Sequence, residues 1–176
     1  MKASPYQPSL LRLLHGVMML LVPLAWLSGL VVAALYDGRW GRLPVQPPGD
    51  WIDIHGTLGV LLWPLALLFG AYAISVGRFR LRHAANAAPL LALALAIGSG
   101  KCMDEQWLRR GELHHLAYNL HLVAWALLAV SVVWHGGSVL QRGGRALAGS
   151  MTSLAVRSND GPRQWPAQLR RWWRGR

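Results

Sequence analysis

The chain has 176 residues, 53% of them hydrophobic and 14% charged, with a net charge of +11 and a single cysteine, Cys102. Its charges cluster between long uncharged runs instead of alternating along amphipathic helices, which excludes an ordinary water-soluble domain and gives a membrane-protein composition. One cysteine excludes an internal disulfide and any covalent cofactor attachment through a pair of thiols.

A helix needs about 20 mainly apolar residues to cross about 30 Å of hydrocarbon. Four stretches satisfy this: 10–36, 51–76, 84–100 and 113–140. The first exceeds the 7–15-residue apolar core of a signal peptide and contains His15, so it reads as a span. Residues 40–49 hold three prolines and two glycines and form a loop, since a helix interior does not tolerate that density of breakers. Asp50 then stands as an N-cap for the second span, and Asp53 favours the positive end of that helix. The short stretch 77–83 makes spans two and three antiparallel neighbours. The third span is the shortest and holds Pro89; a polar segment, 101–112, leads to the fourth. Most of the ten tryptophans sit near span ends or in the tail, where interfacial anchors belong, whereas Trp63 and Trp125 fall deeper and pack.

After Gln141 the chain is rich in Gly, Ser and Arg. Arginine beside tryptophan can stack on single-stranded nucleic acid, but next to four spans it more simply lies against anionic headgroups. Residues 1–140 therefore form the membrane domain, and 141–176 a basic tail, interfacial or disordered. The expected fold is all-α, a transmembrane four-helix bundle.

With the N-terminus placed in the cytoplasm, four spans put Lys2, Arg12, Arg78, Arg80, Arg82 and the eight arginines from Arg142 onward on that side, against Asp160. The opposite loops hold Arg39, Arg42, Lys101, Arg109 and Arg110 against Asp37, Asp50, Asp53, Asp104, Glu105 and Glu112. The two faces carry +12 and −1. The positive-inside rule thus predicts both N- and C-termini cytoplasmic and removes nucleic acid as a partner, leaving membrane lipid.

His121 and His135 lie fourteen residues apart in the fourth span, which sets them about 40° apart in azimuth and ~21 Å apart in height. Polar side chains in a span are costly and need a partner or a task. His15 matches His135 in depth near the inner end, and His55 and His121 share the outer half. Two cross-span pairs follow, His15 with His135 and His55 with His121. Imidazoles facing each other across a macrocycle make six-coordinate haem b iron, suited to electron transfer; these four histidines are the expected cofactor-binding residues and metal ligands for two haems b. Gly16, Gly56 and Gly136 follow three of them, and Gly59 lies one turn beyond His55, giving room for a porphyrin face. A lone intramembrane histidine is more often hydrogen-bonded to a neighbouring helix; four paired in depth shift the balance to ligation.

Among the other histidines, His83 is expected to be solvated. His114, about 20° from His121 on one face, reads either as a helix-start histidine or as a group over the outer haem, touching a propionate or taking a proton beside a quinone with Glu112, His115 and Asn119. Arg12, Arg82 and Arg142 read as topology determinants or as partners of the inner propionates. No phosphate-binding glycine loop, cysteine cluster or HExxH motif occurs, and no catalytic residue is identified.

With Arg12-Leu13-Leu14-His15-Gly16, Trp51-Ile52-Asp53-Ile54-His55-Gly56 and the pair His121 and His135, the chain resembles the bacterial cytochrome b561 family, four-helix di-haem membrane cytochromes b. The resemblance covers roughly residues 10–140. It implies four axial histidines, two haems b, a bacterial cytoplasmic (inner) membrane or equivalent energy-transducing membrane, and electron exchange with the quinone pool. The chain departs from the pattern at Gly16, where an aromatic often follows the first histidine, and in its short third span and brief outer loops. Two alternatives stand beside this: a haem-bearing anchor subunit for a separate dehydrogenase or hydrogenase that works with a redox partner protein, and a haem-free structural membrane protein.

Overall fold

The structure, a computed structural model, describes residues 6–104, 112–153 and 155–174. Lys2, Glu105, Arg109, Arg110 and Arg176, which enter the charge balance, and most of the polar segment 101–112 lie outside the described residues. Every regular element among those residues is helical. Four helices are long and apolar enough to cross a membrane: α1 (Ser9–Val32, continued by a π-turn at Ala33–Asp37), α2 (Trp51–Ser75), α3 (Ala84–Asp104) and α4 (Glu112–Thr152). At 1.5 Å per residue the 24 residues of α1 reach about 36 Å. The end of the bundle with Asp37 and Trp51 is termed outer, the end with Ser9 and Ser75 inner.

Pro23, Pro64 and Pro89 lie inside α1, α2 and α3. Lipid offers the chain no water to bond, so a spanning helix persists through a proline that would end a soluble one. Asp50 caps α2 as its position suggests, accepting from the backbone N–H of Ile52 and Asp53 at 3.1 Å each. Large apolar side chains face outward along the bundle, among them Leu67 at 63%, Leu91 at 69% and Val133 at 75% exposure. Such a belt is unstable in water and is what a lipid-facing surface requires.

Helix packing is uneven. α1 lies closely along α2, and α3 along α4, while contacts between these two hairpins are sparse. A cluster of Met18, Leu62, Ala66, Ala92, Leu93 and Leu128 joins the hairpins at mid-height.

Past Gln141, the tail stretch is helical to Thr152, broken only by Gly144 at φ 57°, ψ −153°. A short amphipathic helix, α5 (Trp165–Arg174), then packs Trp165 and Leu169 on Leu10, Leu11, Leu14 and Tyr72 at the inner end. The start of α1 has no side-chain cap of its own, and the tail provides one. The Asp160 carboxylate accepts from the Ser9 backbone N–H at 2.7 Å and from the Tyr6 hydroxyl at 2.6 Å, and Gln168 Nε2 donates to its other oxygen at 2.9 Å. Trp165 Nε1 donates to Ser9 Oγ at 2.9 Å, and Tyr72 donates its hydroxyl to Gln168. Arg12, buried, donates to the backbone carbonyls of Ser153 and Ala155. Burial alone would raise the Asp160 pKa; hydrogen bonds from Tyr6, Gln168 and Ser9 outweigh it and hold the carboxyl below its ordinary value of 3.8.

Candidate cofactor site

Each hairpin carries two of the four paired histidines: His15 and His55 on α1 and α2, His121 and His135 on α4. Across the loosely packed boundary between hairpins, the rings of His15 and His135 stand 6.2 Å apart between centroids, and those of His55 and His121 6.1 Å. A metal held at about 2.0–2.1 Å from two imidazole nitrogens, each ~1.1 Å from its ring centroid, separates the centroids by about 6.2–6.4 Å. Both pairs therefore have the spacing of two imidazoles on one metal ion.

Hydrogen bonding fixes which nitrogen is available. Ser28 Oγ lies 3.0 Å from both the Ala25 carbonyl and His55 Nδ1; with its proton on the carbonyl it accepts from the ring. Ser99 repeats this on α3, donating to Leu95 O at 2.7 Å and lying 3.1 Å from His121 Nδ1. His121 Nδ1 also lies 2.9 Å from Ala96 O, and His135 Nδ1 lies 3.1 Å from Ala85 O. A carbonyl accepts only. The carbonyls thus assign His121 and His135 as Nδ1–H tautomers, with the Nε2 lone pair bare, and Ser28 allows the same tautomer at His55. No Nε2 of the four makes a hydrogen bond among the described residues. His15 differs: its Nδ1 is buried without a partner, and its ring meets the edge of Phe69 at 6.2 Å. Outer-shell acceptors on Nδ1 are the usual device for orienting an imidazole toward a metal.

Glycines set the rings in place. A Cβ on Gly29 would stand 3.0 Å from His55 Cε1, and one on Gly100 3.3 Å from His121 Cε1. Each glycine directly follows the serine that bonds the same ring, so a Ser-Gly dipeptide in α1 and another in α3 seat the two outer histidines. That repeated dipeptide is the signal in the sequence by which these positioning residues could have been found. Space opens on the other side. A cavity of about 260 Å³ between the hairpins is lined by His55, Gly56, Gly59, His121, Trp26 and Trp125, with Lys101 among the residues around it. Nothing lies within 4 Å of a Cβ built on Gly16, Gly56, Gly59 or Gly136.

At the outer pair these features fit a flat apolar macrocycle. Among the described residues no cluster of three or more metal-binding side chains occurs; each pair offers two imidazoles, and a tetrapyrrole would supply the remaining donors.

The remaining candidates lie elsewhere. His83 is exposed. His114 has its Nδ1 buried without a partner and stacks edge-on with His115 at 6.2 Å, not with His121. Arg12 is engaged by the tail, Arg82 lies over Phe79 at 4.9 Å, and Arg142 donates to Asn86 Oδ1 at 3.2 Å. Asn119 is held by Arg39, and the Glu112 side chain is outside the described set. Trp125 packs as expected, stacked on Trp26 at 4.3 Å, whereas Trp63 is 37% exposed at the cavity edge. Comparisons with protein-family models, with curated proteins and with solved structures give no match.

Proposed function

We propose that the chain moves electrons across a membrane through two haems b, the inner held by His15 and His135 and the outer by His55 and His121. The observation that carries this is the pairing of imidazoles, twice, with ring centroids 6.1 and 6.2 Å apart, and the Nδ1 atoms of His121 and His135 placed on backbone carbonyls. When bound, haem iron supplies a one-electron ferric/ferrous couple, and two axial imidazoles leave it no position for oxygen chemistry. The protein's own part is to hold four neutral rings at two depths, exclude water with the Met18–Leu128 cluster, and lend His121 and His135 basicity through the carbonyls at their Nδ1 atoms. The charge asymmetry supports cytoplasmic termini; a bacterial inner membrane or its equivalent, with the quinone pool as exchange partner, is what the resemblance implies.

A reduced-minus-oxidised spectrum of the purified protein with a haem assay tests this: two haems per chain are expected, and a colourless protein refutes it. An anchor subunit for a soluble redox protein is the second reading, favoured by the exposed arginines 78, 82, 145, 157, 163 and 170 at the inner end. It is distinguished by a co-purifying partner and no quinol activity alone.

A further inference from the structure

Residues 76–83 are the one covalent link between the two loosely packed hairpins, and they turn directly off the inner end of α2. Gly77 permits the turn: its N–H bonds the Tyr72 carbonyl at 3.1 Å, and a Cβ there would stand 2.8 Å from Ala73 O. A single 3₁₀ turn, Arg80–Arg82, then leads into α3. Asn86 fixes the loop from the α3 side, because its Nδ2 donates to Arg80 O at 2.7 Å while its Oδ1 accepts from Arg142 Nη2 at 3.2 Å. The loop is thus tied to α4, and a guanidinium of the second hairpin is brought beside it.

Three exposed arginines meet here without a counter-ion. Arg78 and Arg82 both lie on the Phe79 ring, 5.0 and 4.9 Å from its centroid, which keeps the two guanidinium carbons within about 10 Å of each other. Among the described residues the sole ion pair is Arg39 with Asp37, at the outer end. Asp160, the one acid on the inner side, is buried and holds Tyr6, Ser9 and Gln168. Phe79 is 58% exposed and continues the apolar belt of α2 from Ile74, 55% exposed. A cationic patch at a span end, with an aromatic ring among its guanidinia, requires anions from outside the chain and an apolar medium beside them.

We infer that this loop and Arg142 form a binding site for one anionic phospholipid of the inner leaflet. Its phosphodiester takes charge-assisted hydrogen bonds from Arg78 and Arg82, Arg142 approaches from the second hairpin, and an acyl chain lies along Ile74 and Phe79. A headgroup held from both sides joins the hairpins where their own contacts are few. Arg78 and Arg82 stand within three residues of the ends of α2 and α3, at the level of lipid phosphates. A soluble acidic protein would have to displace headgroups to reach them. Charge selects among lipids: with no carboxylate in the patch, the ammonium of a zwitterionic headgroup meets only cations, whereas a net-negative headgroup is attracted. Neither the ligand nor the site involves the histidines, so the inference stands or falls apart from the haem reading.

The test uses the full chain purified in neutral detergent, with phosphatidylglycerol, phosphatidylcholine, inorganic phosphate and poly-glutamate added in turn. Native mass spectrometry counts the retained lipid, and circular dichroism follows unfolding. Phosphatidylglycerol is expected to remain bound, a single copy per chain, and to raise the unfolding midpoint, whereas the other three do neither. Arg78→Gln combined with Arg82→Gln should lower retention about tenfold or more, and Arg142→Gln should remove most of the rise in midpoint. Arg145→Gln with Arg163→Gln, which loses the same charge outside the loop, should retain lipid as the parent does. Arg78→Lys with Arg82→Lys keeps the charge that orients the spans but loses the paired N–H groups; weaker retention by this variant carries the test if the glutamine variant fails to insert. Equal retention of both lipids, equal loss in the control variant, unchanged retention in the loop variants that insert, or protection by phosphate or poly-glutamate in place of lipid overturns the inference.

Discussion

Ser28 and Ser99 stand in matching places: each hydroxyl bonds a carbonyl of its own helix and lies within hydrogen-bond distance of the Nδ1 of a histidine on the neighbouring one. Removing an acceptor of this kind commonly costs a metal site 10–100-fold in affinity. Ser28→Ala is expected to weaken haem binding at the outer site about tenfold, measured by titrating haem into the stripped protein. Ser99→Ala should cost less, because the Ala96 carbonyl still holds His121 Nδ1. His135→Ala leaves His15 facing no second imidazole; a fall from two haems per chain to one, with the outer spectrum retained, is expected in a haem assay. The histidines themselves were legible, because a polar residue in a span declares its depth. Their partners were not, since Ser28 meets His55 and Ser99 meets His121 only through packing between helices, and nothing in local spacing announces that except the shared Ser-Gly step.

Helix pairing determines where a cofactor can enter. Close packing within each hairpin fixes its own imidazoles, and the sparse boundary between hairpins leaves the opening into which Gly56 and Gly59 face. Gly59→Leu is expected to fill that opening and abolish the outer haem while the helical circular dichroism stays unchanged. Gly29→Ala, which brings a methyl to 3.0 Å of His55 Cε1, should displace that ring and lower outer-site occupancy, whereas Gly16→Ala, with nothing within 4 Å, should not. The starts of the four spans could be read almost to the residue, as Asp50 shows at the start of α2, whereas α4 runs on past the expected end at 140 to Thr152. The docking of α5 could not: an amphipathic basic helix reads equally as a lipid-bound segment, and only the uncapped start of α1 decides where it goes. Asp160 supplies that cap as an anion. Its pKa is depressed by folding, so its contribution is complete above the ordinary 3.8 and is lost as pH falls through the lower folded value. Hydrogen exchange at residues 165–170 should therefore rise on acidification below 3.8, and Asp160→Asn should show raised exchange already at neutral pH. Exchange independent of both would mean that Trp165 and Leu169 hold α5 alone.

The whole molecule presents arginine at one end and most of its carboxylates at the other, an asymmetry visible in the sequence without any coordinates. Cys102, exposed at the outer end of α3, is a natural reporter of sidedness. A membrane-impermeant maleimide added to intact spheroplasts should label it, and labelling only after lysis would reverse the proposed topology. The contacts at the inner end have one further consequence. Ser9 and Arg12 meet partners 141 to 156 residues downstream. Contacts so distant in sequence form late, because chain made first must wait for chain made last. During synthesis the Ser9 backbone amide and the Arg12 guanidinium therefore lack these partners until Ser153, Ala155, Asp160 and Trp165 have been made, so the inner-end link from the tail to α1 closes last. On the haem-bearing reading, a flat prosthetic group loaded in that interval would find its escape opposed once the tail had closed on α1.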